Sequence, residues 1–258
     1  MNKMNLSPIP IVKHSIACLS LCLLSSCTGT QGFSVVDKVN SWKDTPASIH
    51  REEIEEYARS RTKVVMVSRA TSKTSGKLVD GGQAVALTED GYYLTALHVL
   101  NKKSPFLFIR TPRKDPVTLT ACRIVWTNKD LDLAILQAEE RPQKTFLPEY
   151  DRAKDRDAVV AASLFGSFSY GQVHSTIRGN GNAYRVIHSA PSRKGDSGSG
   201  LLSSRNRLVG ITTATVWSPF HFLTEGISPD WKEIWAVIEE DRKKPKRPIL
   251  YWGETPPK

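Results

Sequence analysis

The residue of this sequence best suited to act as a nucleophile is Ser197, in the stretch Gly-Asp-Ser-Gly at residues 195–198. A serine hydroxyl attacks a carbonyl only when a base removes its proton and nearby donors stabilise the oxyanion. The flanking glycines let the backbone turn sharply, so the N–H groups of Gly195 and Ser197 are predicted to form an oxyanion hole. The same residue types dominate ordinary surface turns, so this interpretation also requires a histidine and a carboxylate.

His98 is the candidate general base. It ends the predicted hairpin of residues 82–99, where a strand delivers the imidazole from a rigid support. A base that works near neutral pH requires an imidazole whose second nitrogen is held by a carboxylate. The other five histidines lie in the N-terminal leader, a charged helix, predicted loops or a strand and have no comparable context: His14, His50, His174, His221 and His188.

The candidate carboxylate lies in residues 129–136, Lys-Asp-Leu-Asp-Leu-Ala-Ile-Leu. Period-two alternation would place Asp130 and Asp132 on the same side of an otherwise apolar strand. Burial of a carboxylate at the start of such a strand is costly unless it accepts the Nδ1–H of His98. Asp132, directly before the apolar run, is the first choice, and Asp130 is kept in reserve.

Short runs rich in β-branched and aromatic residues, separated by turn signals, predict the elements that position these side chains. The runs lie at residues 64–67, 82–87, 92–96, 106–109, 117–126, 132–136, 158–164, 184–188 and 208–214. Helices are predicted only near the ends, at residues 46–63 and 228–240, with Ser228 as N-cap and Pro229 as first helical residue of the second. The pattern predicts an all-β barrel architecture with one helix at each end.

The N-terminus resembles a bacterial lipoprotein leader. An apolar run at residues 16–24 follows two lysines and is too short to span a bilayer. It ends in Leu-Ser-Ser-Cys, similar to a lipobox, which predicts cleavage after residue 26 and a lipid on Cys27. An ordinary signal peptide cut nearby is the alternative. Thr28, rather than aspartate, favours the outer membrane facing the periplasm. Cys18 and Cys22 leave with the leader, so Cys122 is predicted to be a lone buried thiol.

Charge and composition divide the chain of 258 residues further. We predict a leader at 1–26, a tether and charged helix at 27–62, one folded domain at 63–241, and a basic proline-rich tail at 242–258. The formal charge of +10 falls to +8 without the leader, which holds two lysines. Because no aromatic-interleaved groove accompanies the basic tail, we expect it to be solvated and expect no nucleic-acid partner. A tail that bound nucleic acid or membrane would lose salt-dependent binding on deletion.

His98, Asp132 and Ser197, in that order and in these strand contexts, make residues 82–215 resemble the chymotrypsin-type serine endopeptidases, and among them the bacterial HtrA/Deg-like branch. Phe165-Gly166 and Gly-Gln-Val at 171–173 also fit this branch. The resemblance implies two perpendicular six-stranded β-barrels. His98 and Asp132 would belong to the first barrel and Ser197 to the second.

The activity that the resemblance implies is hydrolysis of peptide bonds through an acyl-enzyme, on proteins of the bacterial cell envelope and without metal or cofactor. The alternative is a non-catalytic protease-fold lipoprotein that binds polypeptides or scaffolds an envelope complex. Relatives in this branch often form trimers, and residues 46–63 leave the oligomeric state open. The residues expected around the substrate, 191–194 and 213–215, offer no carboxylate, which favours a small or apolar side chain before the scissile bond.

Three departures from the family pattern qualify the resemblance. Ser199-Gly200 replaces the Gly-Pro or Gly-Ala that usually follows the Ser-Gly pair. Asp196 resembles the aspartate that a freed N-terminal amine neutralises in the digestive enzymes, and here it requires a different partner or stays partly solvated. The segment after Thr215 is too short for a PDZ domain, so we expect none.

Overall fold

The computed structural model describes residues 51–70, 76–100, 106–110, 119–139, 141–163, 168–217 and 222–245. The predictions for the leader, Cys27, the tether, Phe165-Gly166, His221 and the tail beyond residue 245 therefore lie outside the described residues. Within the described ranges, no helix has the length and apolar character needed to cross a membrane.

The first half of the described chain forms a closed antiparallel barrel of six strands. Its strands are β1 (Thr62–Ala70), β2 (Gly76–Ala86), β3 (Tyr92–Ala96), β4 (Phe106–Arg110), β5 (Leu119–Asn128) and β6 (Leu133–Ala138). They pair in the order β1-β2-β3-β6-β5-β4, and β4 closes the barrel on β1. The five residues of β3 are all buried, which makes this strand a rigid support for the residue that follows it.

The second half forms another closed six-stranded barrel. Its strands are β7 (Ala158–Ala161), β8 (Ser169–Arg178), β9 (Tyr184–His188), β10 (Gly200–Ser203), β11 (Leu208–Trp217) and β12 (Phe222–Ser228). They pair in the order β10-β11-β12-β9-β8-β7 around a core that includes Val159, Val173, Val186 and Leu201. The predicted all-β architecture of two six-stranded barrels is thereby confirmed.

Three strands of the second barrel, β8, β10 and β12, were not predicted. β10 has only four residues, and the second half of β8 is largely exposed and polar, so neither carries a clear alternating pattern. His174 was predicted to lie in a loop; that prediction is wrong, because His174 is an exposed residue within β8.

Two helices flank the barrels, α1 (Arg51–Arg59) and α2 (Trp231–Lys243). The described part of α1 ends earlier than predicted, because the chain enters β1 at Thr62. The N-cap prediction for α2 is wrong: Ser228 is the last residue of β12, paired with Tyr184. Asp230 caps α2 instead, with its carboxylate 3.0 Å from the backbone nitrogen of Lys232.

The C-terminal turn of α2 is attached to the first barrel by a buried carboxylate. Asp241 accepts hydrogen bonds from the Arg123 guanidinium (2.5 and 3.1 Å) and from the Tyr92 hydroxyl (2.8 Å). The hydrogen bond from Arg123 holds the pKa of Asp241 below its usual range. Burial of the Tyr92 hydroxyl and, to a smaller extent, its hydrogen bond to Asp241 raise the pKa of Tyr92 to about 12.

We expect Asp241→Asn to lower the free energy of unfolding by about 1–3 kcal/mol, because Arg123 and Tyr92 lose their charged acceptor. The neighbouring Glu240→Gln is the control, since Glu240 is exposed and pairs only with Lys244 in the described residues. Urea unfolding monitored by tryptophan fluorescence measures both. Equal unfolding midpoints for the two variants would contradict the role given to Asp241.

His188 is fully buried on β9, opposite Thr224 of β12. Burial, which disfavours the charged imidazolium, lowers its pKa to about 3. In the unfolded chain the same side chain titrates near pH 6.5, so between these values the unfolded state binds a proton that the folded state does not. Stability is therefore expected to fall as the pH falls from about 6.5 toward 3.

The expected loss of stability between pH 7 and pH 4 from this histidine is about 3 kcal/mol. His188→Leu should remove that part of the pH dependence, whereas His174→Gln, at an exposed position, should retain it. Urea unfolding at pH 7, 6, 5 and 4 measures the slope for each protein. The same slope in His188→Leu and in the unmodified chain would show that another group is responsible.

Candidate active site

His98 lies in a short 3-10 helix (Leu97–Val99) that directly follows β3. Val99 and the next residue, Leu100, are buried and fix this turn to the first barrel. The side chain of His98 is 47% exposed, so the imidazole faces the surface from a rigid base. This is the position that the sequence predicts for it.

Asp132 contacts the backbone and the side chain of His98 at the same time. One carboxylate oxygen lies 2.5 Å from His98 Nδ1, and the other accepts the backbone N–H of His98 at 2.8 Å. The carbonyl of Asp132 also accepts the N–H of Leu97 at 2.9 Å. These contacts fix the orientation of the imidazole. When Nδ1 donates its proton to this carboxylate, Nε2 is the nitrogen left to accept a proton.

Asp132 lies in a turn and not, as the sequence pattern predicts, at the start of a buried strand. Asp130 and Asp132 do not share a face of a strand, because β6 begins only at Leu133. Asp132 sits in the preceding turn in the left-handed region (φ 54°), and its side chain is 35% exposed rather than buried. Asp130 is exposed, and its carbonyl accepts a hydrogen bond from Arg185 at 2.9 Å. The structure thus brings Asp132 rather than Asp130 to His98.

Ser197 lies in a tight turn between β9 and β10. Gly195 and Gly198 both have positive φ, 98° and 84°, which is the left-handed region that glycine adopts without steric cost. Asp196 N–H donates to the Arg193 carbonyl at 3.0 Å, which closes the turn. Among the described residues, no acceptor is bonded to the N–H of Gly195 or of Ser197. These are the two N–H groups that the sequence predicts to form an oxyanion hole.

The turn of Ser197 is seated on the first barrel. The carbonyl of Ser197 accepts the backbone N–H of Gln83 on β2 at 2.8 Å. A Cβ atom on Gly82 would lie 2.7 Å from that carbonyl and 2.7 Å from a methyl of Val99, the neighbour of His98. Gly82 thus lies between the backbone of Ser197 and the turn of His98. The two barrels present these residues at one boundary.

Residues 82–211, which make up half of the chain, match the family described as "Trypsin-like peptidase domain". The chain belongs to the trypsin-like peptidase family. The match covers the positions of His98, Asp132 and Ser197 and confirms the predicted resemblance to the chymotrypsin-type peptidases.

A curated relative agrees with the family, and a solved structure agrees with the fold. The chain is 31% identical over 148 residues to a "Probable periplasmic serine endoprotease DegP-like" of Rhizobium meliloti (strain 1021), covering 54% of this chain and 28% of that protein. The crystal structure of the serine endoprotease from Yersinia pestis superposes with a TM-score of 0.55 at 20% identity, over 73% of this chain and 65% of that one. The chain thus spans less than a third of the curated relative. The second comparison supports the fold alone.

In this trypsin-like peptidase the partners of Asp196 are found within the domain. Its carboxylate is buried and accepts hydrogen bonds from the Ser163 hydroxyl (2.5 Å), the backbone N–H of Arg193 (2.7 Å) and the Gln83 amide (3.3 Å). Sequence reasoning found neither Gln83 nor Ser163, because they are 113 and 33 positions away from Asp196. The one signal available was a glutamine within the apolar run of β2.

Proposed function

We propose that this chain is a serine endopeptidase whose catalytic triad is His98, Asp132 and Ser197. The observation that carries the proposal is the double contact of Asp132 with the imidazole and the backbone of His98. A carboxylate that holds both groups sets the tautomer and the direction of the ring, which is what a general base requires. The seating of the Ser197 turn against Gly82, beside Val99, supports the assignment of the nucleophile.

In the proposed reaction, His98 Nε2 removes the proton of Ser197 Oγ as this oxygen attacks the carbonyl carbon of a peptide bond. Asp132 stabilises the imidazolium that forms. His98 then gives the proton to the leaving amine, the C–N bond breaks, and an acyl-enzyme remains on Ser197. Water, deprotonated by His98, then attacks the acyl carbon. The bond between this carbon and Ser197 Oγ breaks, His98 returns the proton to Ser197 Oγ, and the carboxylic acid product is released.

The oxyanion of each tetrahedral intermediate would be stabilised by the N–H groups of Gly195 and Ser197. Both belong to a turn in which glycines on either side of the nucleophile adopt positive φ and whose backbone is bonded to Gln83. Such donors, held in place before the reaction, lower the barrier more than donors that must reorient. Loss of one donor typically costs on the order of 100- to 1,000-fold in kcat.

The proposed substrates are polypeptides with a small side chain before the scissile bond. Ser192 precedes the nucleophile turn, and its hydroxyl lies 3.3 Å from that of Thr224 on β12. The residues expected around the substrate, 191–194 and 213–215, include no carboxylate, so they offer no partner for a lysine or arginine side chain.

The proposed location is the bacterial cell envelope, with a lipid on Cys27 holding the domain at the outer membrane on its periplasmic side. The lipobox-like residues 24–27 support this location, as does the name of the Rhizobium meliloti relative, a periplasmic endoprotease. Metabolic labelling of the full chain with a fatty-acid probe tests the anchor. Incorporation that is lost in Cys27→Ser supports it, and equal incorporation in both proteins overturns it.

Hydrolysis of an unfolded protein tests the activity. We expect the full chain to release peptides from fluorescently labelled casein and Ser197→Ala to release none above background. Ser189→Ala is the control, because Ser189 bonds only the backbone of Gln172 among the described residues and should retain the rate. A folded wild-type chain with no activity would instead favour a protease-fold protein that binds polypeptides.

A further inference from the structure

The three groups that donate hydrogen bonds to the carboxylate of Asp196 are all uncharged. Ser163 Oγ and Gln83 Nε2 reach one oxygen, at 2.5 and 3.3 Å, and the Arg193 N–H reaches the other at 2.7 Å. Asp196 is only 6% exposed, so these bonds replace most of its hydration. Losing a donor to a buried carboxylate is more costly than losing one between neutral groups.

Gln83 bonds three consecutive residues of the nucleophile turn. Its side-chain nitrogen donates to the Gly195 carbonyl at 3.0 Å as well as to Asp196, and its backbone N–H donates to the Ser197 carbonyl at 2.8 Å. Gln83 is itself fully buried, and its carbonyl accepts the hydroxyl of Thr95 at 2.7 Å. A residue of β2 in the first barrel therefore fixes the backbone on which the oxyanion hole of the second barrel depends.

Gly195 makes this fixation necessary. It has no side chain to oppose rotation of its peptide units, and its φ of 98° is one of several that glycine reaches at little cost. A rotation that turned the Gly195 N–H away from the nucleophile would remove one oxyanion donor. The bonds from Gln83 to the carbonyl of Gly195 and to the carboxylate of Asp196 hold the peptide unit that follows Gly195. The two bonds between Arg193 and Asp196 span the preceding unit, to which the Gly195 N–H belongs, and oppose its rotation.

We infer that Gln83 and Ser163 are positioning residues of the oxyanion hole. The inference rests on the proposed peptidase activity and adds a regulatory consequence to it. The three donors that bind the carboxylate of Asp196 belong to the folded domain, and none of them is an ionised amine. The oxyanion hole therefore forms when the domain folds. Both act indirectly: Gln83 through Gly195 and Asp196, and Ser163 through Asp196.

Steady-state kinetics on a fluorogenic peptide, with the full chain, tests the inference. Gln83→Leu and Ser163→Ala should each lower kcat by about 10- to 100-fold with KM changed less than about threefold, because an oxyanion forms only during the reaction. Ser163→Thr keeps the hydroxyl and should restore kcat to within about threefold of the unmodified chain. Gln137→Ala is the control, because that amide bonds the carbonyl of Ala138 on β6.

The outcomes separate this inference from the proposed function. Thermal unfolding of each variant identifies any protein that fails to fold. If Gln83→Leu does not fold, Ser163→Ala tests the inference by itself, because it removes only one oxygen atom. An unchanged kcat in Ser163→Ala, or a threonine variant as slow as the alanine variant, overturns the positioning role. An unmodified chain that is folded and inactive overturns the proposed activity itself.

Discussion

Asp132→Asn is expected to lower kcat/KM by about four orders of magnitude at neutral pH. An asparagine in this position presents an amide that can donate to Nδ1, which favours the tautomer with the proton on Nε2 and removes the base. The bond from the His98 backbone to the remaining oxygen should survive, so the fold is retained. Initial rates on a fluorogenic peptide, measured with circular dichroism on the same samples, check both parts.

Asp130→Asn is the matched control for this prediction. It makes the same chemical change two positions earlier, at an exposed side chain, and should leave kcat/KM within about twofold. A large loss in Asp130→Asn together with a small one in Asp132→Asn would reverse the assignment of the carboxylate.

Gly198→Ala is expected to destabilise the domain by about 3–5 kcal/mol and to abolish activity. A Cβ atom at this position would lie 1.9 Å from the Gln83 carbonyl and 2.6 Å from the Thr95 hydroxyl, both in the first barrel. The φ of 84° adds backbone strain for any residue with a side chain. The turn of Ser197 must therefore move away from the first barrel. Chemical denaturation and peptide hydrolysis measure the two losses.

Gly181→Ala separates strain from the clash. Gly181 also has a positive φ, 63°, but the nearest atom to a Cβ there is a carboxylate oxygen of Asp230 at 3.6 Å, an ordinary contact. We expect a cost of about 1–2 kcal/mol and full activity. If the two variants were equally stable and equally active, the close seating of Gly198 on the first barrel would be wrong.

Sequence patterns predicted the strands whose burial is continuous and whose ends carry turn residues. β3 and β9 begin and end where predicted, because each is a five-residue run rich in aromatic, aliphatic or β-branched residues that follows a turn. β12 escaped prediction, because it has a glutamate and a glycine in its middle and its identity as a strand depends on pairing with β9 and β11. The residue pattern within one segment does not predict which distant segments pair with it.

In the candidate site too, local sequence patterns predicted some residues, whereas contacts between distant segments were not predictable. His98 and Ser197 were predicted because each lies in a local motif that carries its own chemistry. Asp132 was chosen for a strand position that it does not occupy; its left-handed turn is a consequence of how β5 connects to β6. The partners of Asp196 were missed, since Ser163 meets this carboxylate only when the second barrel has formed, and Gln83 only when the two barrels have packed together.

The most direct test of the central claim is reaction of the full chain with a fluorophosphonate probe, followed by mass spectrometry of the labelled peptide. The account predicts one adduct, on Ser197, which is absent in Ser197→Ala and strongly reduced in His98→Ala. It also predicts that a folded His174→Ala protein labels as fast as the unmodified chain. A folded chain that does not react, or an adduct on a serine other than Ser197, would contradict the assignment of this triad.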